Sequence, residues 1–184
     1  AEGDLSACVE LINRTHDGLD LFTPYTEKKL KIRLNENLWG RKPVWWTHVY
    51  GWQDFYVLEK DGRVVTCAGL WDRGAQVRER WRFKSTGDER VIDGACLIDF
   101  GFAEGHEEDM ARLIEYLIGE TVKLGRRYFV APLQYQPETA ALLEKHSPVP
   151  ERRGLQWSTW DSEISATGTA DPPITRPYTD LGYW

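Results

Sequence analysis

Residues 95–133 read ACLIDFGFAEGHEEDMARLIEYLIGETVKLGRRYFVAPL, and their pattern decides the fold. Ala95 to Phe102 is nearly all apolar, as a strand covered on both faces would be. Met110, Leu113, Ile114, Leu117, Ile118 and Val122 then recur at spacings of three and four, which predicts an amphipathic helix over about 107–124. Gly125 stands where a C-cap glycine ends such a helix. Tyr128 to Leu133 reads as another buried strand. Strand, helix and strand in this order make a βαβ-like crossover.

Upstream, Phe55 to Leu58 reads as a strand, and Asp61-Gly62 is a strong hairpin signal. Arg63 to Leu70 is its antiparallel partner. Val77 to Phe83 alternates, with Val77, Glu79, Trp81 and Phe83 on one face and Arg78, Arg80 and Arg82 on the other. Nearer the start, Asp4 is placed to cap a helix carrying Leu5, Cys8, Val9, Leu11 and Ile12, ending near Gly18. Thr26 caps a second helix whose apolar positions are Leu30, Ile32 and Leu34. Residues 38–54 read as a Trp-rich loop. Downstream, Pro137 opens a helix through Leu142 and Leu143 that Pro148 and Pro150 stop. Leu155 to Trp160 reads as a strand, 162–175 as a loop and Tyr178 to Trp184 as a last strand. This order predicts one α/β (α+β) domain over 1–184, a mixed, mostly antiparallel sheet flanked by helices on both faces.

Composition narrows the function. A chain of 184 residues, 41% hydrophobic, can bury the core of one domain. The net charge of −6 argues against a nucleic-acid or anionic-membrane partner, since both need a basic field. No apolar run approaches the ~20 residues of a membrane span, and no signal-peptide pattern opens the chain. The expectation is a soluble, cytoplasmic domain. Cys8, Cys67 and Cys96 are far apart and sit in apolar patterns, so they read as buried reduced thiols. No CxxC or HExxH occurs, and the four histidines have no ligand spacing, so no metal is expected. Met110 is the only methionine, so the chain is expected to be processed or part of something longer.

The element order, centred on Ala95 to Leu133, resembles the GNAT N-acetyltransferase superfamily. Residues 5–37 are similar to the family's paired first helices, Phe55 to Leu70 to its hairpin, and TAALLEK at 139–145 to its late helix. The family's opening strand is not visible ahead of Asp4. The resemblance implies that Ala95 to Phe102 holds the pantetheine of acetyl-CoA by backbone hydrogen bonds, and that 107–124 is the cofactor helix. Phe100, Gly101, Phe102, Gly105, His106 and Met110 are then the cofactor-binding candidates. The family binds pyrophosphate with a Gln/Arg-x-x-Gly-x-Gly/Ala turn at a helix N-terminus, where N–H groups and the positive dipole end meet an anion. Here that turn is Gly105 to Met110. Gly105 falls on the opening Gln/Arg and Glu108 on the essential glycine, and Glu107, Glu108 and Asp109 line the place for phosphates. Like charges at 4 Å repel by on the order of 1–4 kcal/mol in a wet or surface-like medium.

Many family members use a Tyr on the late helix as general acid, a position that falls on Leu143. Tyr135, just before that helix, is the substitute candidate. Asp99, alone in an apolar strand, is either a general base or a strand residue facing polar neighbours or solvent. The row Arg78, Arg80 and Arg82 offers an anion site or is a solvated, ion-paired face. The cluster Trp39, Trp45, Trp46 and Trp52 is core, a docking surface or the lining of an apolar cleft. A sound pattern with a departed loop implies the degenerate C-terminal half of a tandem GNAT protein, with a catalytic half or a second copy as partner. Acetyl-CoA is the cofactor if the domain is active, with a small-molecule amine as acceptor, and none otherwise. The alternatives are an active N-acetyltransferase with an atypical loop, or a small-molecule binding module using the Trp cleft.

Overall fold

The computed structural model describes residues 2–19, 22–36, 50–75, 79–82 and 87–131. Helix α1 is Leu5–Thr15 and α2 is Glu27–Glu36. Strands β1, Phe55–Lys60, and β2, Arg63–Trp71, form the expected hairpin. Lys60 pairs with Arg63, and Asp61 and Gly62 turn at φ 52° and 73°, the positive values a two-residue type I′ loop requires. Strands β3, Glu79–Arg82, and β4, Glu89–Ile92, make a separate antiparallel pair. Strand β5 is Gly94–Phe102, α3 is Glu107–Lys123 and β6 is Tyr128–Val130.

The main sheet runs β1-β2-β5-β6. Its first pairings are antiparallel and β5–β6 is parallel. This is the mixed, mostly antiparallel sheet with a crossover helix that the opening stretch predicts. Gly125, at φ 73°, ends α3 as expected. The amide of Arg126 donates to Thr121 O and that of Gly125 to Val122 O, the paired bonds of a Schellman cap.

Two apolar layers cover the sheet. Leu5, Cys8, Leu11 and Ile12 of α1 and Leu30 and Leu34 of α2 pack with Phe55, Cys67, Cys96 and Ile98 on one face. Met110, Leu113, Ile114 and Leu117 of α3 pack with Ala68, Leu70, Ala95, Leu97 and Phe100 on the other. The three cysteines are free and buried in the first layer. Burial pushes the Cys67 thiol well above its usual range.

The alternation along β5 breaks once. Cys67 lies opposite Gly101, whereas Gly69 lies opposite Ile98, so Asp99 and Phe100 together oppose Ala68. This is a β-bulge, and Asp99 takes a left-handed φ of 48° to make it. Strict alternation after Leu97 and Ile98 would aim Asp99 at α3. The bulge instead turns it to the α1–α2 face, puts Phe100 on α3 and turns Gly101 to α1. A Cβ on Gly101 would lie 2.4 Å from the backbone of Leu11 and Ile12, so α1 touches the strand only because this residue is glycine.

The structure corrects several expectations. Asp4 stands at the α1 N-cap position but makes no side-chain capping bond. Thr26 does cap α2, its Oγ1 accepting from the Lys29 amide at 3.1 Å. In α2 the inward residues are Leu30, Arg33 and Leu34, while Ile32 is exposed. A helix repeats every 3.6 residues, so the alternating reading Leu30-Ile32-Leu34 carried Ile32 to the outer side. Val122 of α3 is exposed for the same reason of phase. The strand predicted over Val77 to Phe83 is described only as Glu79–Arg82, and its partner β4 was not foreseen. Elements expected after Ala131 lie outside the described residues.

The two packing environments make a paired prediction. Gly101→Ala forces α1 off β5 and lowers stability by about 1–3 kcal/mol or more. Gly119→Ala, in the open middle of α3 where an added Cβ meets nothing within 4 Å, raises it by roughly 0.5–1 kcal/mol. Urea denaturation of both variants reads the difference, and similar effects at the two sites would contradict this account of α1 packing.

Candidate functional site

The bulge delivers Asp99 into a buried polar cluster. Its carboxylate accepts from the Tyr25 hydroxyl at 2.6 Å, from Arg33 Nε at 2.7 Å and from the Tyr50 hydroxyl at 3.0 Å. The Arg33–Asp99 pair is almost fully enclosed, with side-chain exposures of 4% and 0%. Burial, then the negative charge of Asp99, holds the Tyr50 phenol well above its ordinary pKa, so Tyr50 stays a proton donor. Tyr25 is also clamped through its backbone. Its amide donates to Asn13 Oδ1 at 2.6 Å and its carbonyl accepts from Asn13 Nδ2 at 3.0 Å.

Just beyond the bulge, the end of α1 takes up main-chain groups of β5. The Phe102 amide donates to Thr15 Oγ1 at 3.0 Å, and the same hydroxyl lies 3.4 Å from the Phe102 carbonyl. His16 Nε2 meets the Phe100 carbonyl at 3.0 Å, so that nitrogen carries the proton. The His16 ring stands edge-on to Phe100, with centroids 4.7 Å apart. Burial lowers the His16 pKa to about 4 against a smaller upward pull from the Phe100 carbonyl, and the imidazole is neutral at pH 7. On the edge of β5 away from β2, the described pairing with β6 covers Gly94 to Cys96.

The turn from β5 into α3 has Gly105 at φ 77° and His106 at the N-cap position. Its three carboxylates do not all face outward. Asp109 is buried, accepts from His106 Nδ1 at 2.7 Å, and pairs with Arg112 at 3.3 Å and Lys60 at 3.5 Å. The hydrogen bond from His106, then the positive charge of Lys60, lowers its pKa against the opposing effect of burial. Glu107 Oε1 turns back to accept from the Gly105 amide at 3.3 Å. Glu108 is exposed. The Met110 side chain is fully buried, its sulfur 3.0 Å from the Thr66 hydroxyl, and its amide donates to the His106 carbonyl at 3.0 Å.

No family profile and no curated protein matches the sequence. Solved structures do match the fold. A chain described as a "putative acetyltransferase" from Agrobacterium tumefaciens aligns with a TM-score of 0.52 at 13% identity, over 86% of this chain and 96% of that one. The aminoglycoside antibiotic 6′-N-acetyltransferase of Acinetobacter haemolyticus aligns with a TM-score of 0.50 at 11% identity, over 88% and 94%. The fold is GNAT-like. At these identities the likeness concerns the fold alone.

Within this GNAT-like frame the structure brings together Asp99, Phe100, Gly101 and Phe102 on one strand, and Gly105, His106 and Met110 at the start of α3. Tyr135, Leu143, Trp39, Trp45, Trp46 and Arg78 lie outside the described residues. Trp52 packs half-buried at the edge of the α1–α2 layer, its indole donating to Asn35 Oδ1 at 2.7 Å. Arg80 is exposed. Among the described residues no group of three or more His, Cys, Asp and Glu side chains could hold a metal ion. No described helix is long and apolar enough to cross a membrane.

Sequence reasoning missed Thr15, His16, Tyr25, Arg33 and Tyr50. One signal was available. Arg33 stands three residues after Leu30 and beside Leu34, a cation on an apolar helix stripe, and Asp99 is an anion in an apolar strand. Two opposite charges, each in an apolar pattern, point to each other because neither is tolerated inside unpaired.

Asp99→Asn removes the ion-pair partner of the buried Arg33, and Arg33→Met removes that of the buried Asp99. Each costs about 3–5 kcal/mol. The double variant loses less than the sum, a coupling that a double-mutant cycle in urea measures directly. His16 adds a pH dependence. Its ordinary pKa is 6.5 and burial brings it to about 4 in the folded chain, so between these values the unfolded chain binds more protons. Its contribution is complete above about pH 6.5 and is lost toward pH 4, by roughly 3 kcal/mol. His16→Gln removes that slope, and an unchanged pH profile would contradict the assignment.

Proposed function

We propose that this chain is a GNAT-like domain with little or no acetyl-transfer activity of its own. One observation carries the reading. The main-chain groups of Phe100 and Phe102, on the strand expected to hold pantetheine, are engaged by His16 and Thr15. An acyl-CoA arm would have to displace both contacts and leave a buried imidazole without that partner, which works against binding. The turn into α3 adds to this, because Glu108 stands in place of the glycine that would let a pyrophosphate approach. Catalysis involving this domain would then fall to a second GNAT-like half, in the same chain or a second copy.

A specific observation favours an active N-acetyltransferase as the second reading. Asp109 is paired with Lys60, Arg112 and His106, so the turn repels a diphosphate less than three free carboxylates would. Acetyl-CoA would then be the acyl donor and a small amine the acceptor. Calorimetric titration with acetyl-CoA separates the two. The first reading expects no heat of binding up to millimolar ligand, whereas micromolar affinity would establish the second.

A further inference from the structure

We infer that the outer face of α3 is a self-association surface, on which a second copy of this chain docks antiparallel across Gly119. This face lies away from β5 and its contacts with α1, and its pairing holds whether or not an acyl-CoA binds.

Three observations support it. First, nothing inside the described chain requires glycine at position 119. The residue stands in the middle of α3, on the side opposite the buried Leu113, Leu117 and Thr121. A Cβ there would meet nothing within 4 Å among the described residues. Glycine weakens a helix interior relative to alanine. What it offers in return is the close approach of another backbone. No described segment makes that approach, so the chain that fits the notch comes from outside.

Second, the notch is flanked by exposed apolar side chains. The surface neighbours of residue 119 on a helix are those three and four positions away, here Glu115, Tyr116, Val122 and Lys123. Tyr116 is 51% exposed and Val122 68%. The Tyr116 ring is braced from behind, tilted against Tyr56 with centroids 5.6 Å apart, and Lys123 Nζ lies 5.9 Å from its centre. A braced aromatic ring and a stiff β-branched side chain lose little rotamer freedom when a partner covers them.

Third, the face is complementary to itself. A two-fold axis at Gly119 that sets the helices antiparallel brings each residue against the one equally far beyond Gly119 in the second copy. Tyr116 then meets Val122 and Glu115 meets Lys123, each pair occurring twice. No like charges are opposed within about one turn of the axis. A parallel arrangement would instead set Glu115 on Glu115 and Lys123 on Lys123. Lys123 also reaches Glu120 of its own helix at 2.6 Å, but an ammonium has three donors and this side chain is 71% exposed. One helix face against another is a small contact, so the dimer is weak and reversible.

Sedimentation of the full chain from about 10 μM to about 1 mM is the test. The unaltered protein is expected to form a reversible dimer with a Kd on the order of 100 μM. Lys123→Glu or Glu115→Lys alone opposes like charges and is expected to weaken it at least about tenfold. The double reversal, Glu115→Lys with Lys123→Glu, restores opposite signs and is expected to return the Kd to within about threefold of the original. That rescue is specific to the antiparallel register. Gly119→Leu probes the notch. Leucine favours a helix and the site is open, so the fold is kept, while the new side chain holds the two backbones apart and the dimer is lost. A chain that stays monomeric up to about 1 mM overturns the inference. A dimer that survives Gly119→Leu, or that the single reversals weaken no more than the double, overturns it equally.

Discussion

The Arg33–Asp99 ion pair sits between helix α2 and the central strand, with both side chains withdrawn from water. Either charge alone would be intolerable there, so each requires the other. Asp99 can reach Arg33 only by leaving the alternation of β5, and it does so through a bulge at positive φ. Asp is among the few non-glycine residues that accept that backbone state. The ion pair and its two tyrosine hydroxyls thus offset a backbone cost of about 1–2 kcal/mol.

The bulge has consequences along the strand. Because Asp99 takes the α1–α2 face, Phe100 moves to the α3 side and Gly101 comes round beneath α1. With no side chain at 101, the helix backbone settles directly on the strand. That closeness brings Thr15 and His16 within hydrogen-bond reach of Phe102 and Phe100. One buried charge pair therefore bears on both the register of the strand and the contacts that the end of α1 makes with it.

Charge plays a smaller part at the α3 turn than the row Glu107-Glu108-Asp109 suggests by itself. Asp109 folds inward, where Lys60 from the β1–β2 hairpin and Arg112 from the next turn of the helix balance it, and Glu107 turns back on Gly105. The polar groups of the strand itself are met in the same way from within the chain, Phe102 by Thr15 and Phe100 by His16. A helix N-terminus with its own carboxylates is a stable end for a helix in any case.

The sequence by itself determined the β5–α3–β6 crossover, the β1–β2 hairpin and the two apolar layers, because these follow from local periodicity and turn chemistry read over a few residues. It also marked Asp99 as anomalous. It misjudged Ile32 and Val122, where an apolar residue sat one step out of helical phase. Only the tertiary structure decided which way Asp99 points, which groups cap Phe100 and Phe102, and which cations neutralise Asp109. The reason is physical. Asp99 meets a partner 66 residues away in sequence, and Phe102 one 87 residues away. No local pattern carries information about such contacts until the chain has closed and the buried charges have had to find each other.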